Sequence, residues 1–490
     1  MYELALLFSV LSFVWIGAIY LRSPLFSLFH PLTFYLAFHG VVFVFRPVIV
    51  YLMDYRLIYQ TYQFTPSLSD KITALVATNI GMLVFVAACW WFGNAPMRFK
   101  TDRIALGERE MLKPTFWWMV VLLAPIGLYS MYVLWSTALG TGSAYSNIIR
   151  DYRTGKAYNE GISGYLIEAQ LMLAGISAIL AWLMRFRLIA LVPLAMFAIY
   201  RAGLGGRGPF ITALITVGLF YLYDRQRKSL PIWVFAIAPV LLAVFTAVGD
   251  DRGASIRRAI SDDQSSEVFS AHREERFMEG MDFANLEYME YLVYVVPQRS
   301  GTYGYFNGVA QLFTEPVPRS IWPDKPIGAP FERINMFDYG LPLGMTRSLP
   351  GEGWFSLGWL GVIIWCGFWG WALGVIYRRF AEGEQSAFQV AAYLVFLPVL
   401  IVAFRDGQIV TVFRQCLFYL APVVLWHFAA RGVGVPSLAT IRAILAAKAS
   451  AKPTGELAAL SGAGPADWNG VPPAVRRRRQ ALQKPAGSSS

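Results

Sequence analysis

The stretch FQVAAYLVFLPVLIVAFRDGQIVTVFRQCLFYLAPVVLWHF, residues 388–428, holds two long apolar runs separated by the polar turn RDGQ at 405–408. A helix needs roughly 20 mostly apolar residues to cross the hydrocarbon core of a bilayer. The runs Phe388–Phe404 and Ile409–Phe428 meet that need, and the charges Arg405 and Asp406 lie between them. This stretch therefore predicts two membrane-spanning helices joined by a turn at the membrane surface.

The same pattern recurs along the whole chain, which has 490 residues, 56% of them hydrophobic and 15% charged. Soluble globular domains are about 45–50% apolar and about 25% charged. The sequence thus predicts an all-α polytopic membrane protein with about eleven transmembrane helices. The eleven predicted spans are Leu4–Leu21, Leu32–Met53, Ile72–Phe92, Phe116–Leu139, Tyr165–Met184, Leu188–Leu204, Pro209–Tyr223, Leu230–Val248, Trp354–Tyr377, Phe388–Phe404 and Ile409–Phe428.

Basic residues fall in alternate connections between these spans. Lys and Arg in short loops mark the cytoplasmic side. With eleven spans all these connections lie on one side, which predicts an outward-facing N-terminus and a cytoplasmic C-terminus. Before the basic tail, the connecting residues concerned are Arg22, Arg98, Lys100, Arg103, Arg109, Lys113, Arg185, Arg187, Arg225, Arg227, Lys228, Arg378 and Arg379.

This layout divides the chain into four regions. Residues 1–248 contain the first eight spans, 249–353 form one large outer loop, and 354–430 contain the last three spans. Within the loop, apolar residues at helical spacing over Asp282–Val296 predict an amphipathic helix. The basic tail, 431–490, is rich in Ala, Gly, Pro and Ser and is predicted to be disordered. No folded basic surface is visible, so no nucleic-acid partner is expected.

Cysteine and histidine usage indicates neither a disulfide framework nor a metal site. The three cysteines lie inside apolar runs, and the four histidines are far apart in sequence without the spacing of metal ligands. We therefore expect no metal ion and no cofactor.

Arginines at the predicted outer depth are the main functional signal. They are Arg46, Arg201, Arg207, Arg405 and Arg414. A guanidinium at the centre of a spanning helix costs about 2.5–3.5 kcal/mol on insertion scales. Arg207 is flanked by glycines, which permit close backbone approach to a ligand, and a guanidinium suits a bidentate grip on phosphate. Several arginines at one depth predict binding of a polyanionic ligand.

Each arginine also has a purely structural interpretation. Arg414, near a helix end, could extend to the lipid headgroups. Arg46 could pair with an inward carboxylate, and Arg405 could pair with the adjacent Asp406.

A second polar group, RSLPGEG at 347–353, stands immediately before the ninth predicted span. Arg347 could join the anion-binding group. Glu352 lies between two glycines and beside Trp354, a partly desolvated setting that suits a general base. The stretch is equally consistent with a Gly/Pro loop that leads into a helix.

Four short motifs together resemble the bacterial oligosaccharide repeat-unit polymerases, the Wzy-type O-antigen and exopolysaccharide polymerases. The resemblance covers roughly Met1–Ala430. Its motifs are the GGRG turn at 205–208, PRSIWPDKP at 318–326, the R-S…G-E pattern within 347–352, and the Arg-Asp pair at 405–406.

The resemblance implies a metal-independent glycosyltransferase with a GT-C-like fold in the bacterial inner membrane. It would polymerise undecaprenyl-diphosphate-linked oligosaccharides into O-antigen, capsule or exopolysaccharide at the periplasmic face. Membrane lipid, a chain-length regulator and a flippase are the partners it suggests.

The predicted roles follow from this resemblance together with the chemistry of the residues. Arginines would stabilise the departing lipid diphosphate, and a carboxylate would take the proton of the acceptor hydroxyl. The predicted catalytic residues are Glu352 as the base, Asp406 as the second choice, and Arg207, Arg347 and Arg405. The predicted diphosphate- and glycan-binding residues are Arg46, Arg201, Arg414, Arg319 and Trp322.

Two other functions compete with the polymerase. An O-antigen ligase would carry a histidine near the arginines of its outer loop, and His272 is the candidate here. A flippase or transporter would place charges at mid-depth with access from both sides. The arginines lie toward one face, which favours an enzyme at that face.

Overall fold

The computed structural model of the chain describes residues 1–141, 148–150, 157–159, 164–204, 208–231, 278–317, 321–322, 324–326, 328–342 and 344–450. These residues are largely helical. A short antiparallel pair of strands, β1 (Ile148–Arg150) and β2 (Ala157–Asn159), places Ile149 opposite Tyr158. The predicted all-α polytopic class is confirmed.

The helices are numbered in chain order. In the first half they are α1 (Tyr2–Arg22), α2 (Pro31–His39), which continues through a π-helical turn (Gly40–Phe45) into α3 (Arg46–Met53), α4 (Leu57–Tyr62), α5 (Leu68–Phe92), α6 (Arg103–Thr141), α7 (Gly164–Glu168), α8 (Leu171–Leu183), α9 (Leu188–Gly203) and α10 (Gly208–Asp224). In the second half they are α11 (Asn285–Val295), α12 (Asn307–Thr314), α13 (Ser348–Glu382), α14 (Ala387–Asp406), α15 (Ile409–Gly432) and α16 (Leu438–Ser450).

Local sequence sets several helix starts. Ser67 and Asp70 form a capping box at the start of α5, and Ser386 and Gln389 form another at α14. In each box the two side chains satisfy backbone N–H groups that a helix N-terminus leaves without partners. Pro31 opens α2, where a missing N–H costs nothing.

Eight of the described helical segments are long and apolar enough to cross a membrane, and each corresponds to a predicted span. The sixth and seventh predicted spans are the shorter apolar helices α9 and α10. The eighth, Leu230–Val248, lies almost entirely outside the described residues. The count of eleven therefore stays a prediction.

The connections predicted to be cytoplasmic meet at one end of the helices. Lys100 Nζ donates to the Glu382 carbonyl over 2.7 Å, and the Gln385 amide donates to the Arg98 carbonyl over 2.7 Å. Helices α6 and α10 are joined at the same end by a 2.9 Å ion pair from Arg109 to Asp224. The basic connections, which alternate along the sequence, therefore lie together at one end of the helices. The side of the membrane that this end faces stays a prediction.

Helix α13 reverses direction near its start. It is interrupted at Gly358, whose φ of +60° lies in the left-handed region. A Cβ atom on Gly353 would stand 2.6 Å from the Gly361 carbonyl oxygen, although eight residues of straight helix would separate them by about 12 Å. Residues 348–357 therefore fold back on the rest of α13. The straight part of α13 therefore begins after Gly358, which lies four residues beyond the predicted start of the span Trp354–Tyr377.

Helix α11 lies within the stretch 282–296, for which the spacing predicts a helix, and it packs against α5 and α13. All its residues are buried except Tyr294, which is half-buried. The helix is thus covered on every side instead of presenting one polar face to solvent. Trp354 anchors its C-terminal end by donating to the Val296 carbonyl over 2.9 Å.

The described residues after Val435 form a unit distinct from Met1–Val435. The described part of this unit is α16, whose Ala-rich sequence favours a helix. The segment predicted to be a disordered tail therefore begins with helical structure, and residues 451–490 lie outside the described part of the chain.

Candidate active site

Two residues predicted to be catalytic form an ion pair just before the reversal in α13. Arg347 Nη1 donates to Glu352 Oε2 over 2.9 Å, and 17% of the Arg347 side chain and 4% of the Glu352 side chain are exposed. The guanidinium also lies 3.8 Å from the centre of the Phe355 ring. Burial opposes the charge on Arg347, but Glu352 and Tyr288 more than offset it and raise the pKa of Arg347 above its ordinary value. A permanent positive charge thus lies beside a buried carboxylate.

The RDGQ turn is pressed against this ion pair. Gly407 has a φ of +75°, and a Cβ atom there would overlap the Ser348 carbonyl oxygen and lie 3.1 Å from Glu352 Cβ. Trp365 Nε1 holds the turn from the other side by donating to the Gly407 carbonyl over 3.0 Å. Two motifs far apart in sequence therefore meet in one place.

Gly407→Ala is expected to lower the free energy of unfolding by more than the about 1–3 kcal/mol of left-handed backbone strain alone, because the new Cβ also overlaps Ser348. Gly434→Ala is the matched control, since Gly434 has a φ of +81° with no atom near its Cβ position. Thermal unfolding in detergent compares the two variants. Equal losses would show that the turn has room for a side chain.

Asp406, the second predicted base, joins the ion pair through this turn. Its carboxylate accepts a hydrogen bond from the Thr411 side chain and lies within electrostatic range of Glu352, Arg347 and Arg414. Both predicted bases are therefore in one cluster with two predicted arginines.

Arg405 and Arg414 flank this cluster. The Asn285 amide of α11 donates to the Arg405 carbonyl and to the Thr346 carbonyl, each over 2.9 Å, and so ties the turn to the segment before α13. Arg414 Nε lies 3.9 Å from Glu168 Oε1, and its side chain is 38% exposed. We name the group Arg347, Glu352, Asp406 and Arg414 the charged cluster, which Arg405 adjoins through its backbone.

Arg201 extends the cluster toward α8. It is buried and donates to Gln170 Oε1 over 2.7 Å. Arg201 and Glu168 both lie within electrostatic range of Tyr419. Because Glu168 is also the ion-pair partner of Arg414, Arg201 lies next to the charged cluster. Its guanidinium is bound by the Gln170 side chain.

Arg46 lies away from the cluster. Its Nε and Nη2 donate to the Glu287 carboxylate over 2.8–3.2 Å, and Nη1 donates to the carbonyls of Met278 and Gly280. Only 1% of the residue is exposed. The pairing with an inward carboxylate, which the sequence left open, is the arrangement present. Arg46 is therefore held by the protein and is not presented to an anionic ligand.

Three predicted residues remain. Arg207 and Arg319 lie outside the described residues. Trp322 is 39% exposed in the outer loop. Within the described ranges, no group of three or more His, Cys, Asp or Glu side chains is arranged to hold a metal ion.

Sequence reasoning missed several polar residues of the site. Tyr288 hydrogen-bonds Arg347, Asn285 fixes the RDGQ turn, and Glu168 pairs with Arg414. A signal was available in α11, since Glu287 and Glu290 interrupt its apolar helical pattern. A buried carboxylate is costly unless it has partners.

Glu290 lies on the side of α11 that carries Glu287. Its Oε2 accepts a 2.7 Å hydrogen bond from the Tyr59 hydroxyl. Burial is the largest cause that raises the pKa of Glu290, from 4.5 to about 7, and the Glu287 charge adds to it. Lys71 and the Tyr59 hydrogen bond act in the opposite direction. The titratable groups nearby are Lys71 and Asp70 of α5, Tyr59 of α4, Tyr2 of α1 and Glu287.

This raised pKa predicts a pH-dependent stability. Between pH 4.5 and about 7 the folded protein binds more protons at Glu290 than the unfolded chain does, so stability falls as pH rises through that window. The expected loss is about 3 kcal/mol, and Glu290→Gln should remove this part of the pH profile. Thermal midpoints measured from pH 4.5 to 8 test the prediction, with the exposed Glu384→Gln as control. Identical profiles for Glu290→Gln and the unchanged protein would contradict it.

The charged cluster combines fixed positive charge with buried carboxylates. Preorganised cations stabilise negative charge that develops on a leaving group, and a carboxylate within reach of a hydroxyl removes its proton. This arrangement suits transfer of a group away from a phosphate-bearing carrier to a hydroxyl.

The model of the family O-antigen polysaccharide polymerase Wzy matches residues 2–429 of the chain. The matched range contains the whole charged cluster and ends before α16. No curated protein and no solved structure matches.

Proposed function

This chain belongs to the O-antigen polysaccharide polymerase Wzy family, and on that premise we propose how it acts. It joins undecaprenyl-diphosphate-linked oligosaccharide repeat units into O-antigen, capsule or exopolysaccharide at the periplasmic face of the bacterial inner membrane. The observation that supports this role best is the Arg347–Glu352 ion pair with the RDGQ turn pressed against it.

The proposed reaction moves a glycan from one lipid carrier to the next repeat unit. A hydroxyl of the acceptor attacks the anomeric carbon of the donor, and the bond from that carbon to the lipid diphosphate breaks. The hydroxyl proton goes to Glu352, or to Asp406. The electron pair of the broken bond leaves on the diphosphate, whose charge is stabilised by Arg347, Arg405 and Arg414.

The ion pair explains why Glu352 is the first choice as base. Arg347 holds the buried carboxylate of Glu352 in place through a 2.9 Å ion pair, so the base and a cation lie side by side. When the diphosphate departs, Arg347 can turn part of its interaction toward the new negative charge. Hydrogen bonds to charged groups contribute about 1.5–3 kcal/mol each.

The predicted roles of Arg207, Arg319 and Trp322 are part of the proposal. Arg207 follows α9 and would add positive charge near Arg201, while Arg319 and Trp322 would contact the glycan. A chain-length regulator and a flippase remain the proposed protein partners.

Deletion of the gene, followed by profiling of lipid-linked and surface glycans by length, tests the function. The polymerase predicts single repeat units exposed outside the inner membrane and no long chains. Long chains stranded on the carrier lipid would indicate a ligase. Repeat units trapped on the cytoplasmic leaflet would indicate a flippase.

A further inference from the structure

A cavity of about 580 Å³ lies on the far side of α11 from the charged cluster. Glu287 and Glu290 line the cavity, whereas Asn285 and Tyr288 contact the segment of Thr346 and Arg347. Positions two apart on an α-helix are about 200° apart around its axis. Helix α11 is therefore the wall between the two sites. This volume lies within the range of about 300–1,000 Å³ that is common for small-molecule sites.

Aromatic rings make up much of the cavity lining. They come from Tyr2 of α1, Tyr51 of α3, Tyr55, Tyr59 of α4 and Phe64. Sugars present flat C–H faces that pack on such rings, and tyrosine adds a hydroxyl that can donate or accept a hydrogen bond. Four of the five rings lie within residues 51–64 and the fifth, Tyr2, comes from α1, so the packing of α1 completes this surface.

Polar groups of both signs complete the lining, together with the amides of Gln60 and Gln63. The carboxylates are those of Asp54, Glu287 and Glu290, and the cations are Arg56 and Lys71. Because Arg46 neutralises Glu287 from outside the cavity, the lining is close to neutral overall. Such a surface does not favour a diphosphate, but it offers many donors and acceptors to hydroxyl groups.

Glu290 and Tyr59 form the buried polar floor of the cavity. Glu290 is 1% exposed, and its Oε2 accepts the 2.7 Å hydrogen bond from Tyr59. Within the described part of the chain no hydrogen bond reaches Glu290 Oε1, whereas Arg46 engages both oxygens of Glu287. Because both oxygens of a carboxylate accept hydrogen bonds, a ligand hydroxyl in the cavity can donate to Glu290, which lines it.

We propose that this cavity is a sugar-binding subsite for a neutral part of the lipid-linked oligosaccharide, with Glu290 accepting a hydrogen bond from a sugar hydroxyl and Tyr59 positioning Glu290. The inference rests on the proposed polymerase function. A helix with its side chains is about 10–12 Å across. An oligosaccharide whose reacting end lies at the charged cluster thus has a second site close enough to hold its more distant sugars.

Binding of the free oligosaccharide tests the subsite separately from catalysis. The probe is the host's repeat-unit oligosaccharide released from its lipid carrier by mild acid, so that it lacks the diphosphate. The full chain in detergent should bind it, as measured by titration calorimetry. Glu290→Gln and Tyr59→Phe should each weaken binding by about tenfold or more, because each disturbs a buried hydrogen bond to a charged group.

Two controls separate the possible outcomes. Tyr132→Phe removes a hydroxyl from an exposed position on α6 and should bind as the unchanged protein does. Arg347→Ala should lose polymerisation and keep oligosaccharide binding, since it lies across α11. Two outcomes would overturn the subsite. One is that the unchanged protein does not bind the oligosaccharide. The other is that Glu290→Gln and Tyr59→Phe bind it as well as Tyr132→Phe does. A deletion strain that still makes long chains would instead overturn the proposed function.

Discussion

Arg347→Ala is expected to abolish polymer while the protein still inserts into the membrane. The substitution removes the positive charge closest to Glu352 and leaves that carboxylate buried without its ion-pair partner. Loss of one preorganised group that stabilises developing negative charge typically lowers a rate by about 10²–10³. Cells that carry the variant should show single repeat units in place of a glycan ladder, with membrane levels checked by immunoblot.

Arg299→Ala is the matched control for this experiment. Arg299 is an exposed arginine whose guanidinium also stacks on a ring, 3.3 Å from the centre of Tyr294, but it lies outside the charged cluster. Its loss should leave the ladder unchanged. Full-length polymer from Arg347→Ala would refute the role of the ion pair in catalysis. A variant absent from the membrane would be replaced by Arg347→Lys, which keeps the charge but not the bidentate geometry.

Arg46→Ala is expected to lower the free energy of unfolding by about 3–5 kcal/mol, because it leaves Glu287 buried and uncompensated. The carbonyls of Met278 and Gly280 lose a donor in the same variant. The double variant Arg46→Met with Glu287→Met should recover much of that loss, since it removes both charges. Thermal or denaturant unfolding in detergent measures Arg46→Ala, and a cycle of the unchanged protein, Arg46→Met, Glu287→Met and the double variant isolates the pair.

An exposed ion pair provides the control for Arg46. Arg56 pairs with Asp54 at 2.9 Å, but their side chains are 68% and 74% exposed. Arg56→Ala should cost less than about 1 kcal/mol, so similar losses from Arg46→Ala and Arg56→Ala would contradict the structural role of Arg46. A stable double variant that makes no polymer would show that Arg46 or the cavity-lining Glu287 also acts on substrate.

Arg347 and Arg46 show which features of the site can be predicted from the sequence and which require the tertiary structure. Arg347, Glu352, Arg405 and Asp406 were predicted together because all lie next to predicted spans that end on the same side. Their shared face follows from hydropathy and loop charge, whereas their predicted roles rest on the family resemblance and on side-chain chemistry. The sequence contains no local signal that the RDGQ turn presses on Ser348, because the close approach depends on how α13 and α14 pack.

Arg46 illustrates the opposite case. Its depth in the second predicted span is visible in the sequence, and depth alone suggested a ligand-binding role. Its partner Glu287 lies 241 positions away. Any inward carboxylate would satisfy the same pattern, so only the packing of α11 against the earlier helices decides between a ligand site and a structural ion pair.

The sequence by itself determined the membrane class, the apolar spans and the end of the protein at which charge collects. These follow from the transfer of about 20 neighbouring side chains from water to lipid, a sum over a local stretch. The tertiary structure alone decided that α11 is buried on all sides, that its two faces separate a charged cluster from a cavity, and that α13 reverses at Gly358. Those features depend on which distant surfaces pack together, and hydropathy does not distinguish lipid from protein as the apolar partner.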